Sequence, residues 1–522
     1  MLTALVFSLI SAGASVAQQA QGQPKLVIGI MVDDLQSEYV EMLRDHFGQD
    51  GFNRLLNGGV LIANADYGSS LDTEAATAVI FTGAAPCING IPAGEVYDRT
   101  LMRGTNVMHD ASTPGTYTSQ SLSPSALAVT TIGDEAKISS RGLNYVYSIS
   151  PSAAQAVIMS GHIGNASMWL NDANLCWATS TYYKEPPTTI EMRNSFNSLR
   201  SRIDTMIWTP AKSVEAYPLL PANSMKYPFK HVLKSFGSDR NRVFRNSPKA
   251  NDEVTSFAIE NIEKLKLGQH EGVDMINVAY TLRPFAYGKS TDARYELMDS
   301  YYRLDQNLAQ LFRAVDKAVG IDNAVIFVAA TPPAPRTRRE DQRWQLPYGE
   351  FSTEKAISLL NLYLIAKYGN GEWVSGYHNG QFFLNTKEIE HKHINIEDIR
   401  IDCARFLERM AGVTKAISID EVIDAKSASN EQLRQSVSLA QAGDILIQIM
   451  PGWQIVDDFN SANRTEKVER MASTYAPVYI LAPGVAQRTI DTPVDARSIA
   501  PTVTRLLRIR SPNGSSAPAL IL

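Results

Sequence analysis

Apolar residues rich in Val and Ile recur along the chain in short unbroken runs: Leu26–Val32, Asn144–Ser150, Ala156–Ser160, Met275–Tyr280, Ala324–Ala329, Ile445–Met450 and Val478–Leu481. Runs of this length without polar alternation predict strands buried on both faces. Between them, Tyr39–Leu56, Ala293–Ala318 and Ile499–Leu507 carry apolar residues at helical spacing. The alternation of strand and helix predicts an α/β fold: one mostly parallel sheet with helices on both faces. Two stretches interrupt it, at about 96–266 and 333–442. Both are rich in turn residues and aromatics and read as insertions that cap the sheet. In such a sheet, ligands sit beyond the C-terminal ends of the strands.

Composition narrows the class. The chain has 522 residues, 44% hydrophobic and 20% charged, which excludes a disordered, collagen-like or many-pass membrane protein. With 49 Lys+Arg against 54 Asp+Glu the net charge is −5, so no broad basic surface invites nucleic acid or an anionic membrane. Cys87, Cys176 and Cys403 lie far apart and match neither a metal-ligand spacing nor a disulfide framework.

The first residues bear on the compartment. Leu2–Val16 is apolar or small, and Ser15-Val16-Ala17 has the small-x-small pattern read by signal peptidase, although no Lys or Arg precedes the run. We expect a signal peptide over 1–17, a Gln-rich linker over 18–24, and the folded domain over 25–522. A buried N-terminal helix is the alternative. No later stretch reaches the ~20 apolar residues of a membrane span, so the expected product is soluble and periplasmic or secreted.

Chemistry is sought at the strand ends. The first strand ends in Val32-Asp33-Asp34, which brings a carboxylate to the crevice. Further on, Asp72-Thr73-Glu74 precedes a small-residue helix that closes on Gly83. Thr73 would lie at a helix N-terminus, where the dipole and free N–H groups favour an anion. The alternative is that Thr73 or Asp72 only caps the helix.

These residues carry a resemblance. Pro24–Asp33, Gly51–Gly59, Phe81-Thr82-Gly83, Ser180–Tyr183, Ser300–Asp305, Pro451-Gly452-Trp453, Ile499–Thr502 and Pro512-Asn513-Gly514 together resemble the alkaline phosphatase superfamily. The similarity is to its phosphate-irrepressible bacterial branch, near the nucleotide pyrophosphatase/phosphodiesterases. It implies an alkaline-phosphatase-like sandwich. It also implies a site in which two zinc ions, held by three Asp and three His, flank a Thr nucleophile.

Taken position by position, Asp33 matches the first-strand metal ligand and Thr73 the nucleophile. The family's next Asp and His fall on Arg283 and Tyr287. Its Asp-His pair falls on Thr331 and Pro332, and its last His on Tyr475. Its phosphate-binding Asn falls on Gly94, and its Lys and Arg on Pro151 and Ala153. None of the eight histidines lies within a few positions of an expected ligand, and a zinc site needs at least three protein ligands. The expectation is a pseudoenzyme with vestigial Asp33 and Thr73 and no zinc, acting as a binding or scaffolding protein with an envelope or periplasmic protein partner. Two alternatives stay open. One is a phosphate or sulfate ester hydrolase using Thr73 with an altered metal site near Asp33 and Asp34. The other is a metal-free carrier of an anionic ligand contacted by Arg283, Arg336 and Arg338.

Other signals are weaker. Glu390-His391-Lys392-His393 reads as a polar turn rather than a metal site. The run Pro335–Arg339 reads as solvated loop charge or as an anion-binding surface. Arg283 is expected to reach Asp33 and balance its charge, because an unpaired buried carboxylate is costly.

Overall fold

The computed structural model describes residues 22–522 apart from 185, 219, 221–225, 227, 289–292, 334–348, 458–464 and 469–472, and only the backbone of 465–468. The expected signal peptide and most of the linker lie outside the described residues, as do Arg336 and Arg338.

The first strand, Leu26–Asp33, is buried at every position. It pairs in parallel with Asp274–Thr281 on one side and Ala324–Ala330 on the other. Gly29 sits where both neighbours crowd in. A Cβ there would lie 2.6 Å from Asn277 Oδ1 and 2.7 Å from Phe327 Cζ, so a larger residue would force these two buried side chains to shift. Val146–Ser150 and then Ala166–Leu170 extend the parallel order beyond Asp274–Thr281. The edges run the other way: Trp177–Ser180 is antiparallel at one end, and Tyr475–Leu481 joins Ala324–Ala330 antiparallel at the other. Val60–Asp66 follows it. The sheet is thus mixed and mostly parallel, with helices such as Thr73–Thr82, Pro248–Lys264 and Arg294–Val319 against it.

Several expected elements stand as read: Ala293–Ala318 is realised as Arg294–Val319, and Ile499–Leu507 keeps its bounds. Others are corrected. Ala156–Ser160 is not a strand but the end of helix Ala153–Ser160, all of it buried, with the Ser152 hydroxyl accepting from Gln155 N and Gly161 at φ 67° closing it. A short apolar run buried on all sides looks the same in either conformation. Tyr39–Leu56 breaks into Ser37–Leu43 and Phe52–Gly58 around a 3₁₀ turn. Ile445–Ile449 is a strand, but of a separate antiparallel sheet with Val374–His378, Gln381–Leu384 and Val413–Ser418. That sheet packs with helices Thr353–Tyr368 and Ile396–Leu407 around its own core of Leu360, Trp373, Phe382 and Ile399. The stretch 96–266 is not only an insertion, because it supplies four strands to the main sheet: Gly115–Thr116, Val146–Ser150, Ala166–Leu170 and Trp177–Ser180. Among the described residues no helix is long and apolar enough to cross a membrane.

Candidate functional site

The parallel strands Leu26–Asp33, Asp274–Thr281 and Val146–Ser150 release their chains at one edge, which brings Asp33, Arg283 and Pro151 to the same crevice. Each exit is anchored. Thr281 exchanges two hydrogen bonds with the Asn251 side chain of helix Pro248–Lys264, at 2.9 and 3.1 Å, and Leu282 N donates to Asp33 O at 2.9 Å. Asp34 takes the left-handed conformation at φ 59°, a strain that non-glycine residues seldom accept. Its N–H donates to Thr331 Oγ1 at 3.2 Å.

Thr73 opens helix Thr73–Thr82, and Asp72 is its cap: the Asp72 carboxylate accepts from Ala75 N at 2.9 Å and from Gly94 N at 2.7 Å. Thr73 is therefore spared the capping role and faces the strand-end carboxylates. Arg283 binds all three groups at once. Its Nη2 donates to Thr73 Oγ1 at 3.0 Å and lies 3.6 Å from Asp33 Oδ2, while Nε lies 3.3 Å from Asp34 Oδ2. The expected approach of Arg283 to Asp33 is direct.

The electrostatics follow from crowding. Burial pushes Asp33 up to about 7; Arg283 and a hydrogen bond from Thr73 oppose it, while Glu74 and Asp34 add to it. Burial and Asp72 also raise Glu74, against the bond it accepts from Ser152. Burial pulls Arg283 down, but Asp33, Asp34 and Glu74 outweigh it and hold the guanidinium above its ordinary range. Arg245 is lowered by burial and by Arg283. It donates to Pro151 O at 2.8 Å and pairs with Asp172.

These groups border a cavity of about 470 Å³ whose wall includes Asp33, Thr73, Glu74, Arg245 and Arg283. The other family positions spread out. Thr331 and Pro332 are buried behind Asp34. Tyr287 meets Phe285 edge-on at 5.6 Å, beneath the Arg242 guanidinium at 5.5 Å. Tyr475 is 41% exposed at the start of its strand and is not in the cavity wall. Pro151 lines the cavity, and Ala153 begins a buried helix. Gly94 lies against Glu74. Glu390–His393 forms the end of a short helix and a turn.

Sequence reasoning missed Glu74, Ser152, Gln155 and Arg245. Glu74 follows Thr73 directly and was open to discovery as an acid in a helix's first turn. Gln155 donates to Thr77 Oγ1 at 3.2 Å and reaches Asp33 at 3.5 Å, and nothing local announces that. Among the described residues no three His, Cys, Asp or Glu side chains come together in a way that would hold a metal ion. The described donors do not fit a two-zinc set, and a guanidinium stands among the carboxylates that are present.

Comparison with known proteins agrees with the architecture. Alkaline phosphatase PafA of Elizabethkingia meningoseptica is 26% identical over 532 aligned residues, covering 97% of this chain and 96% of its own. Alkaline phosphatase PhoV of Synechococcus elongatus is 26% identical over 521, covering 96% and 93%. The crystal structure of wild-type PafA matches with a TM-score of 0.82 at 23% identity, over 96% of this chain and 98% of that one, so the two share the alkaline-phosphatase-like fold. The model of the type I phosphodiesterase / nucleotide pyrophosphatase family matches residues 27–474. With most of its length matched and its sheet superimposable on that of PafA, the chain belongs to the type I phosphodiesterase / nucleotide pyrophosphatase family, within the alkaline phosphatase superfamily.

Proposed function

We propose that this protein is a non-catalytic member of its family, exported to the periplasm or beyond, which binds or scaffolds a protein partner of the cell envelope. One observation carries the reading: the Arg283 guanidinium bridges Thr73, Asp33 and Asp34. A threonine nucleophile needs an oxygen lone pair free to attack and a strong positive field on the far side of the phosphoryl group. Here the Thr73 oxygen accepts a hydrogen bond from Arg283. The cation that balances the carboxylates is a fixed side chain. Fold similarity does not carry activity with it.

A second reading has its own support. The Asp33 carboxylate beside the Thr73 hydroxyl is pushed up to about 7, as a general base beside a nucleophile would be. That favours an ester hydrolase with an altered site. Elemental analysis and an ester-hydrolysis assay on the purified full chain separate the two. The non-catalytic reading expects less than stoichiometric zinc and no turnover of phosphate mono- or diesters that Thr73→Ala abolishes. Zinc near two per chain with Thr73-dependent turnover would overturn it. Recovery of a stoichiometric envelope protein with the tagged chain supports scaffolding, and an N-terminus at Gln18 in the mature product supports export.

A further inference from the structure

The second, antiparallel sheet and its helices have a core separate from that of the main sheet. This unit is fastened to the main body by a hairpin and by a helix, and both lead to Asp72, the cap of helix Thr73–Thr82. The hairpin is formed by Glu95–Asp98 and Arg103–Asn106. Its base is tied to the crevice, since Gly94 N donates to Asp72 at 2.7 Å and Val107 N donates to Gly94 O at 2.9 Å. Its body lies on the second sheet. The Tyr97 ring stacks on Phe383 with centroids 4.2 Å apart, and its hydroxyl donates to Ser375 O at 2.6 Å. Gly376 makes room for it, because a Cβ there would lie 2.5 Å from Tyr97 Oη. The Arg99 guanidinium lies over the Phe383 ring at 5.0 Å. It donates to Asp444 at 3.0 Å, to Ala442 O at 3.2 Å and to Leu384 O at 3.3 Å. The helix is Ala428–Ser436, whose Gln432 side chain donates to Gly68 O, just upstream of Asp72.

Such a joint can open. Units of one chain that meet through polar contacts and an aromatic stack, rather than a shared core, are free to move against each other. The Asp444 side chain is fully buried, and losing Arg99 would be costly if it stranded that charge. It does not, because Arg400 Nε and Nη2 donate to the other Asp444 oxygen at 3.0 and 2.8 Å, and Leu384 N donates to Oδ2 at 2.8 Å. Arg99 is itself 40% exposed and can return to solvent. We propose that the hairpin over 95–106 is a latch that couples the seating of the second sheet to the N-terminus of helix Thr73–Thr82. When Tyr97 and Arg99 part from the second sheet, the tie between Gly94 and Asp72 beside Thr73 loosens. The latch goes beyond the functional reading and works in the same way around a catalytic or a non-catalytic site. A partner that draws the second sheet off the hairpin is thereby felt at the crevice.

The test is hydrogen exchange read by mass spectrometry on the full chain, comparing the wild type with Arg99→Ala and Tyr97→Phe. Arg99→Ala should speed exchange about tenfold in peptides carrying the hairpin amides and in those carrying the Gly94 and Ala75 amides, while strand Leu26–Asp33 keeps its protection. Tyr97→Phe, which removes only the bond to Ser375, should give the same pattern at smaller size. Should Arg99→Ala fail to fold, Tyr97→Phe alone decides. Faster exchange confined to the hairpin overturns the coupling, and unchanged exchange throughout overturns the latch. Exchange that rises equally in Leu26–Asp33 overturns it as well, because the hairpin is then one part of a single cooperative unit.

Discussion

Glu253 and Asp33 are both buried carboxylates that face arginine, and they end in opposite electrostatic states. Glu253, on helix Pro248–Lys264, accepts from Arg193 Nε at 3.0 Å, Arg202 Nη2 at 2.7 Å and Trp177 Nε1 at 3.1 Å. Burial pushes it up, yet the two guanidinium groups outweigh burial and hold it below the ordinary carboxylate range. Asp33 has one guanidinium at 3.6 Å and the carboxylates of Asp34 and Glu74 as neighbours, so burial wins and it rises to about 7. The first cluster pins helices together around a satisfied charge. The second crowds like charges around a half-exposed arginine. A folded chain tolerates the second arrangement where selection has acted on a site rather than on stability alone.

The sharpest way to break this contrast is to cut the satisfied cluster. Arg193→Ala leaves Glu253 buried with a single, partly exposed arginine, and should cost about 3–5 kcal/mol in urea unfolding. A loss under about 1 kcal/mol would erase the distinction. A smaller effect is expected at the strand ends. Arg283 is 50% exposed and solvent screens it, so Arg283→Ala should cost only about 1–2 kcal/mol. Asp33→Asn in that background should recover part of the loss, and Asp33→Asn alone should hold stability or raise it by up to about 1 kcal/mol. A double-mutant cycle with no coupling between Arg283 and Asp33 would remove the basis for treating Arg283 as their charge balance.

The smallest effect comes from a pair between the two extremes. His162 Nδ1 lies 3.1 Å from the buried Asp134 carboxylate, and that hydrogen bond raises the imidazole above its ordinary value against the pull of burial. A folded pKa above the unfolded value, about 6.5, means the pair stabilises in full below that pH. The contribution fades as pH rises through the higher folded value. Urea midpoints of the wild type and His162→Gln should therefore converge on the alkaline side. Curves that run parallel across that window would show that the pair does not titrate with folding.

Patterning alone determined much of the architecture. The unbroken apolar runs at Leu26–Val32, Met275–Tyr280 and Ala324–Ala329 could only be stabilised by burial on both faces, and the helical spacing of Ile499–Leu507 marked its bounds to the residue. Asp33 and Thr73 were legible because they lie at a strand end and a helix start, and Arg283 only through the family resemblance, at a position where the family carries a metal ligand. The conformation of Ala156–Ser160 was not legible, since periodicity carries no information where every side is apolar. Nor was the membership of Ile445–Ile449 in a second sheet, or the antiparallel entry of Tyr475–Leu481. Strand pairing is a long-range choice made by the whole core. The same holds for the site: Ser152 meets Glu74 across 78 positions and Arg283 meets Thr73 across 210. Local sequence sets which groups are available, and only the closed sheet brings them within a few ångströms, where burial and Coulomb forces decide which charges stand.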